Sequence, residues 1–399
     1  MKTPRSIPPI IIAFGVVSLF ADITYEGGRS IIGPYMGFLQ ASGTIVGILS
    51  LGELVMYLSR GLGGYLASRA RTSLGYWSII FIGYTINLFS VPLLAYAPTW
   101  QAAFALVLLE RTGKGLRVPA RDALISEASK GIGRGKGFAV HEVLDQTGAV
   151  LGPLYVSLTL RGEASYYAAY LSLWAPALLS LASLVAAYKL YPTPATVRAP
   201  GTVMDRGFRG FIGGLPGTLK LYMVLSTLFS MVLVQWALIS YHLSRIGWSP
   251  SNIALLYTVA MGVDAFSALA AGVAYDRRGL PVLLAAPASA ALSSLAFIPG
   301  STPVVLVGII MWGVMMGLVE STMRAAIGDL SPEKNAPGVY GLYGLIVGLA
   351  GFVGNAFWGC IYDSHPGLVA PLLFLLSLVT LFSFTRLLAL PSGSEQGKP

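Results

Sequence analysis

The chain has 399 residues, of which 55% are hydrophobic and only 11% are charged, and its formal net charge is +9 at pH 7. A soluble protein carries about 25% charged residues, so this composition excludes an ordinary soluble enzyme and indicates an integral membrane protein. The apolar segments run to roughly 20 residues, which suits transmembrane helices and not the short strands of a barrel. The single cysteine, Cys360, excludes a disulfide framework and a thiolate metal cluster.

Turn residues separate twelve apolar segments, which we predict to be membrane-spanning helices. The first contains Asp22 and Glu26 and has no small-residue cleavage site, so it is predicted to be a membrane helix and not a signal peptide. The predicted spans are 8–37, 42–67, 73–97, 99–127, 135–160, 165–189, 217–246, 250–275, 280–300, 302–329, 336–363 and 367–390.

The lysines and arginines of the connecting segments are distributed unevenly. With the first end in the cytoplasm, nearly all of them lie in cytoplasmic segments, and only Arg161 and Arg245 lie in outer turns. Positive charge is retained on the cytoplasmic side of membranes. We therefore predict that both termini are cytoplasmic, that the number of spans is even, and that the protein resides in the cell membrane. The basic residues are not gathered on one domain, so no nucleic-acid partner is expected.

The longest polar stretch, residues 190–216, lies between spans 6 and 7 and contains four prolines. We predict that it is a cytoplasmic linker between two six-helix bundles, 1–189 and 217–399, the second with a short cytoplasmic tail. The halves also match in sequence, because GYLASRAR at 64–71 follows span 2 and GVAYDRRG at 272–279 follows span 8. Two equivalent halves are typical of parallel-repeat transporters.

Span 1 carries three ionisable residues on one helical face, Asp22, Glu26 and Arg29, at positions i, i+4 and i+7. At about 1.5 Å per residue, Asp22 and Glu26 lie roughly 20 to 27 Å from the inner end, beyond the middle of the membrane. A carboxyl group at that depth can take up a proton from one side and release it to the other. The alternative is an ion pair of Glu26 with Arg29 that only shapes the outer half.

Two further acids, Glu53 in span 2 and Asp264 in span 8, stand alone near mid-membrane. Ionisable groups at such positions are usually functional, because hydrocarbon makes them costly to keep. They are predicted either to contact substrate or protons, or to act as gate latches between the two halves.

Span 4 carries a stripe of charge: Glu110, Lys114, Arg117 and Arg121 are four, three and four residues apart and share one helical face. Glu110 and its neighbour Arg111 lie near the midplane and point in different directions. One of them can therefore face a cavity while the other pairs with a neighbouring helix. A buried structural pair is the alternative.

The cytoplasmic part of the stripe, with Lys114, Arg117, Arg121 and Asp122, is predicted to form an inner gate, because charges at a gate can exchange partners as the halves move. The alternative is that the long side chains snorkel to the lipid headgroups. Glu320 and Arg324 in span 10 are four residues apart and are predicted to form a matching pair at the inner gate.

Span 5 begins with His141, Glu142 and Asp145. His141 and Asp145 are four residues apart, so a hydrogen-bonded proton relay is one prediction and a packed polar pair is the other. A metal site would need a ligand from another helix, and both other histidines lie near the outer end, so no metal is expected. Farther along the same span, Gly148, Gly152 and Pro153 are predicted to bend the helix.

Three segments resemble motifs of the major facilitator superfamily. GVAYDRRG resembles the family's signature loop, and this resemblance implies a cytoplasmic gate at Asp276, Arg277 and Arg278. The copy in the first half keeps a basic residue, Arg69, but has Ser68 where the acid is expected. RTGKGLRVPARDAL at 111–124 resembles the fourth-helix motif, above all in a prokaryotic branch of mostly unknown substrate, and implies a role for Arg111 in proton transfer or anion binding. GAVLGP at 148–153 resembles part of the antiporter motif without its trailing glycines.

The resemblance implies an all-α membrane protein of twelve helices in two pseudo-symmetric six-helix halves, working as a monomer by alternating access. We expect a proton-coupled secondary transporter of a small organic solute. Arg29, Arg111, Lys114 and Arg117 favour an organic anion or zwitterion. The alternatives are a proton antiporter of lipophilic cations and an uncoupled facilitator. Phosphate-loop, zinc and nucleophile-elbow motifs are absent, so neither an enzyme nor a cofactor is expected.

Overall fold

A computed structural model describes residues 7–160, 165–193, 213–331 and 336–388, and over these ranges the chain is almost entirely helical and contains no β-strand. Most of the predicted linker at 190–216 lies outside the described residues. Twelve helical spans follow one another in the described ranges, so the predicted all-α class and the order of the spans are confirmed.

The spans, labelled α1 to α12, are partly interrupted or extended by short turns of other helix types. Their bounds are α1, Pro9–Ser30 and Ile32–Phe38; α2, Gly43–Ile48 and Leu51–Arg69; α3, Ser73–Leu93 with a 3-10 turn at Leu94–Tyr96; α4, Trp100–Ala128 with a 3-10 turn at Ser129–Gly131; α5, Arg134–Thr159; α6, Tyr166–Ser172 and Trp174–Leu190; α7, Gly217–Val232 and Trp236–Arg245; α8, Pro250–Arg278; α9, Ala285–Ser293 between 3-10 turns at Leu280–Leu284 and Ser294–Phe297; α10, Thr302–Leu318, a π-helical turn at Val319–Met323, and Arg324–Leu330; α11, Ala336–Ser364; and α12, a 3-10 turn at Pro366–Leu368 and Val369–Leu388.

Ten of these spans are long and apolar enough to cross a membrane. The other two, α4 and α5, are 29 and 26 residues long, but they carry the charged stripe and the His141 to Asp145 segment, which lower their hydropathy.

Capping residues fix where several helices begin. The side chains of Thr72, Thr99 and Ser165 each accept a hydrogen bond from a backbone N–H in the first turn of α3, α4 and α6, which satisfies a donor that the helix itself leaves free.

The chain divides into two compact units by packing. The first unit is Met1–Val203 with Gln235–Met261, and the second is Met204–Val234 with Gly262–Pro399. The end of α7 and the beginning of α8 therefore pack within the first unit. The division into bundles 1–189 and 217–399 follows the sequence repeat instead, and it stays a prediction.

In the first unit, glycines bring α1 and α5 into backbone contact. A Cβ atom on Gly148 would lie 2.9 Å from Cβ of Asp22, and one on Gly152 would lie 2.9 Å from the backbone nitrogen of Gly27. Both distances are too short for real side chains, so the two glycines are required for this packing. The α5 helix continues through Pro153 to Thr159, and the predicted bend at these residues stays a prediction.

In the second unit, neighbouring side chains satisfy a break in α7. Residues 233–235 are not helical, and their carbonyl groups lack the usual helical partners. The indole N–H of Trp312 donates to the carbonyl of Val234 at 2.8 Å, and the Asn355 amide donates to that of Leu233 at 3.0 Å. Trp358 donates to the carbonyl of Met231, also at 2.8 Å. These donors allow the interruption inside a membrane span.

Candidate functional site

The ionisable face of α1 is buried within the first unit. Glu26 is 6% exposed, and one of its carboxylate oxygens lies 2.8 Å from Nη1 of Arg29, so the predicted ion pair forms. The other oxygen accepts a hydrogen bond of 2.7 Å from the hydroxyl of Tyr257, at the beginning of α8. Both oxygens of Glu26 are therefore occupied, while Nη2 of Arg29 is buried and has no hydrogen-bond partner among the described residues.

Asp22, one turn before Glu26, is held differently. It is 3% exposed, and its Oδ1 atom is buried without a hydrogen-bond partner among the described residues. Its charged neighbours are Asp145, Lys114 and Glu26. Nζ of Lys114 lies 4.0 Å from the centre of the Tyr25 ring, so this ammonium group is stabilised by an aromatic face.

Arg111 on α4 is shared between two carboxylates. Its Nε lies 3.1 Å from Glu110, and its Nη1 lies 3.4 Å from Glu53 on α2. Arg111 therefore pairs with a neighbouring helix, but Glu110 and Arg111 do not point apart as expected, and they form the buried pair that was the alternative. The long arginine side chain reaches back to its own neighbour, because the guanidinium is far enough from the helix axis to rotate toward it.

A second group of contacts joins α4 to α3 through Asn87. The amide of Asn87 donates to Oε1 of Glu110 at 2.8 Å, and its carbonyl oxygen accepts from Nη2 of Arg117 at 3.4 Å. Arg117 is 1% exposed, and its guanidinium lies 3.8 Å from the centre of the Tyr84 ring. Arg117 thus lies in the protein interior, and the snorkelling alternative does not apply to it.

The predicted relay in α5 is not formed as expected. His141 is buried, but its Nε2 is hydrogen-bonded to the hydroxyl of Ser18 on α1 at 2.8 Å. No hydrogen bond joins His141 to Asp145 within the described structure, although Asp145 has His141, Arg121 and Lys114 as charged neighbours. Glu142 is exposed and accepts a hydrogen bond from Gln146 on its own helix at 3.4 Å.

The inner end of the stripe contains a local pair. Arg121 binds Asp122, with Nε and Nη2 at 2.9 and 2.8 Å from one carboxylate oxygen, and its Nη1 lies 3.4 Å from the hydroxyl of Ser18. Arg121 therefore links α4 to α1 beside His141. The pairing places Arg121 and Asp122 together and leaves Lys114 and Arg117 outside ion pairs among the described residues.

The two signature turns are exposed. Arg69 lies 5.3 Å from the centre of the Tyr65 ring, and Asp276, Arg277 and Arg278 all end α8 at the surface of the described structure. The predicted pair of Glu320 with Arg324 is absent. The π-helical turn at Val319–Met323 adds a residue to the helical turn, so side chains four residues apart no longer face each other.

The second unit has a polar contact that the sequence did not predict, and it also contains the predicted acid Asp264. The hydroxyl of Tyr275 donates to Asp329 on α10 at 3.0 Å, a contact that joins the ends of α8 and α10 beside Asp276. Asp264 is 4% exposed, and its turn packs closely on α10, where a Cβ atom on Gly317 would lie 2.5 Å from the Asp264 carbonyl oxygen. Among the described residues, no group of three histidine, cysteine or acidic side chains has the geometry for a metal ion.

The first unit therefore holds a central charge cluster, which we define by its ionisable members. The cluster has five acids and four bases: Asp22, Glu26, Glu53, Glu110 and Asp145, and Arg29, Arg111, Lys114 and Arg117. Ion pairs occupy three of the acids and two of the bases. Two acids, Asp22 and Asp145, and two bases, Lys114 and Arg117, remain. They are close to one another, but none of these acids is within ion-pair distance of these bases in the described structure.

Sequence reasoning found all nine of these residues but missed the uncharged side chains that bind them and their neighbours. Asn87 joins Glu110 to Arg117, and Tyr257 binds Glu26. Ser18 joins His141 to Arg121 beside the cluster. Asn87 could have been found as a lone amide in the apolar α3 segment. Tyr257 and Ser18 carry no such signal, since hydroxyl groups are common in membrane helices.

The comparisons with known proteins cover nearly the whole chain. The sequence model of the Major Facilitator Superfamily matches residues 14–355 and 221–398. An uncharacterised protein of Mycobacterium tuberculosis is 35% identical over 374 residues, which make up 93% of this chain and 91% of that protein. An uncharacterised MFS-type transporter of Methanocaldococcus jannaschii is 23% identical over 379 residues, 92% of this chain and 91% of that protein.

Solved transporter structures share the fold at low identity. A mutant of the nucleoside transporter NupG has a TM-score of 0.79 at 13% identity and covers 95% of this chain and 99% of its own. A mutant of the peptide transporter POT in complex with sulfate has a TM-score of 0.74 at 17% identity, with 96% of each chain covered. With the family match across its length, the chain belongs to the major facilitator superfamily and is a multi-pass membrane transporter of small solutes.

Proposed function

We propose that the protein is a proton-coupled secondary transporter of the cell membrane, which moves a small organic anion or zwitterion by alternating access. The position of Asp22 among other acids carries this proposal. Asp22 is 3% exposed, its Oδ1 atom has no hydrogen-bond partner among the described residues, and Asp145 and Glu26 are its acidic neighbours. A membrane interior disfavours such a concentration of negative charge. A carboxyl group at this position can hold a proton and exchange it during transport.

Asp22 is the carboxyl group that best fits this role. Glu26, Glu53 and Glu110 each have an arginine within ion-pair distance, which favours their ionised form. Asp22 is buried, lies beside Asp145 and Glu26, and keeps one oxygen without a hydrogen-bond partner in the described structure. A protonated carboxyl group tolerates such an environment better than a carboxylate does.

The substrate preference follows from the bases that remain available. Lys114 and Arg117 lie outside ion pairs, whereas Arg111 already donates to two carboxylates. A carboxylate or phosphate group of a substrate would find its counter-charge at Lys114 or Arg117 more readily than at Arg111. Asp145, whose charged neighbours include Lys114, would receive the cationic group of a zwitterion.

The alternative of a lipophilic cation is less well supported, because its aromatic contacts are engaged. The Tyr25 ring faces Lys114. Trp236 donates to the Ser30 carbonyl at 2.9 Å, and Tyr241 donates to that of Ala41 at 3.1 Å. These three rings therefore stabilise the protein itself and do not form a free cage for a cation.

Transport by purified protein in vesicles tests the coupling. The ligand is first found by a thermal-shift screen of compound classes, since a bound ligand stabilises by RT ln(1 + [L]/Kd). We expect Asp22→Asn to lose accumulation driven by an imposed pH gradient and to keep substrate exchange, because the proton carrier alone is removed. Asp363→Asn, which neutralises an exposed acid at the end of α11, serves as the control. Gradient-driven accumulation in Asp22→Asn would contradict the assignment.

Two variants distinguish the substrate classes. Lys114→Gln is expected to abolish the thermal stabilisation by an anionic or zwitterionic ligand, because it removes an available counter-charge. Asp145→Asn should reduce stabilisation by a zwitterion and leave that by a simple anion unchanged. If the stabilising ligands are cations and Lys114→Gln leaves their effect unchanged, the anion preference is wrong.

The proposed orientation places both termini in the cytoplasm. Cys360 is exposed near the end of α11, on the side that this orientation makes external. A membrane-impermeant maleimide should label it in intact cells. Labelling only in inverted membrane vesicles would reverse the orientation. We also propose that the functional unit is a monomer, since the cluster is built from one chain.

A further inference from the structure

Tyr257 is fixed against α1 by contacts of its ring and its hydroxyl group. It is 1% exposed, and its hydroxyl donates to Glu26 at 2.7 Å. Its ring lies 4.6 Å from that of Trp236, at an interplanar angle of 32°. Trp236 in turn donates its indole N–H to the Ser30 carbonyl, next to the interruption of α1. The hydroxyl of Tyr257 therefore has little freedom to leave Glu26.

Glu26 and Asp22 are chemically similar and lie one turn apart, yet they differ in the donors that reach them. Glu26 receives a phenol hydroxyl and a guanidinium, one on each oxygen. The Tyr25 side chain hydrogen-bonds to Asp22, but the Oδ1 atom of Asp22 is buried with no partner in the described structure, and no guanidinium is paired with this carboxyl group. Hydrogen bonds to a carboxylate favour its ionised form, so the two groups should differ in their affinity for a proton.

We propose that Tyr257 is a positioning residue, which holds Glu26 ionised against Arg29 and thereby leaves the proton of the cluster to Asp22. This inference rests on the proposed proton coupling and adds the element that selects the carrier. Other ionisable groups also act on Glu26. They are Asp22, Tyr25 and Arg29 on α1 and Lys114 on α4. Glu110 and Glu53 act on its partner Arg29, and Asp145 acts on Asp22.

Tyr257→Phe is the direct test, because it removes one hydroxyl group and keeps the ring that packs on Trp236. Glu26 then has a buried oxygen without a donor, like Asp22. We expect infrared spectra of the purified protein between about pH 5 and 8 to gain the carbonyl band of one additional protonated carboxyl group, which is absent in Tyr257→Phe/Glu26→Gln. If Tyr257 only stabilised the fold, its replacement by phenylalanine would not produce this additional carboxyl band.

Tyr84→Phe is the matched control. Tyr84 is another buried tyrosine of the first unit, and its hydroxyl has no hydrogen-bond partner in the described structure. Its loss should leave the carboxyl bands of the wild type unchanged. An unchanged spectrum in Tyr257→Phe, or the same new band in Tyr84→Phe, would overturn the role of Tyr257.

Glu26→Gln keeps the test decisive if Tyr257→Phe does not fold. An ionised Glu26 has no protonated carboxyl band to lose, so the wild-type band should persist in Glu26→Gln and disappear in Asp22→Asn. Loss of the band in Glu26→Gln refutes the inference. If the band instead persists in Asp22→Asn, the proton does not reside on Asp22. That result refutes the proposed function and not the role of Tyr257. The two failures are thus distinguishable.

Discussion

The two compact units use their buried polar groups in different ways. In the first unit, the buried ionisable residues include Asp22, Glu26, Glu110, Arg111 and Arg117. Glu26 and Glu110 each pair with an arginine of their own helix, and Arg111 also pairs with Glu53 on α2. In the described part of the second unit, Asp264 is the buried acid. Most other buried polar contacts there, such as those of Trp312 and Trp358, satisfy backbone carbonyls. The first unit therefore concentrates ionisable side chains, while the second maintains an interrupted helix.

The equivalent spans α4 and α10 show the same difference. Charged side chains line α4 at its centre, whereas the central part of α10 has methionines at 311, 315 and 316. Methionine adapts to irregular packing, and α10 contains the π-helical turn. Ordered charge pairs require fixed helix geometry, which α4 provides over 29 residues.

The largest expected effect is in the first unit. Arg111→Gln leaves Glu53 and Glu110 without their shared partner, and breaking a buried ion pair in this way costs about 3–5 kcal/mol. We expect a corresponding loss in the free energy of unfolding in detergent, measured by denaturant titration. Glu110→Gln/Arg111→Gln removes one charge of each sign and should recover part of the loss. Equal instability of the single and double variants would show that the charges do not depend on each other.

A smaller effect is expected in the second unit from removing a donor to the α7 break. Trp358→Phe leaves the carbonyl of Met231 without the indole N–H, which costs about 1–3 kcal/mol for an unsatisfied buried group. The same unfolding measurement applies, with Phe382→Leu as the control because Phe382 is 76% exposed. If both variants lose the same stability, packing and not the hydrogen bond maintains the break.

The smallest effects are expected at the end of α8. Tyr275→Phe loses the hydrogen bond to Asp329 and should destabilise by about 0.5–1.5 kcal/mol. Asp276→Asn changes an exposed side chain and should stay within about 0.5 kcal/mol. Thermal unfolding of the two variants compares them directly. A larger loss in Asp276→Asn would mean that the signature acid, and not Asp329, stabilises the second unit.

The spans could be predicted from the sequence because hydropathy and turn residues are local signals. Thr99 and Pro250 stand where α4 and α8 begin, and the interruptions of the apolar pattern coincide with the observed turns. The close approach of α5 to α1 was only partly predictable. Gly148 and Gly152 were recognised as special, but their observed contribution is close packing with Asp22 and Gly27.

The pairing of the charges could not be predicted in the same way. Helical spacing placed Glu110 and Arg117 on one face correctly, but Asn87 on α3 determines how they are connected. Contacts between helices depend on the rotation of each helix, which a single sequence does not specify. The absent pair of Glu320 with Arg324 has a local cause, since the π-helical turn leaves no clear sequence pattern.

The interruption of α7 also has a consequence for synthesis in the membrane. The carbonyls of Met231, Leu233 and Val234 receive their donors from α10 and α11, which are made 78 to 127 residues later. Until those helices arrive, the α7 segment exposes unsatisfied backbone groups to lipid or must remain beside water or the insertion machinery. A nascent chain that ends before α10 should therefore insert α7 less stably than the complete protein does, which makes the biogenesis of this half depend on its last helices.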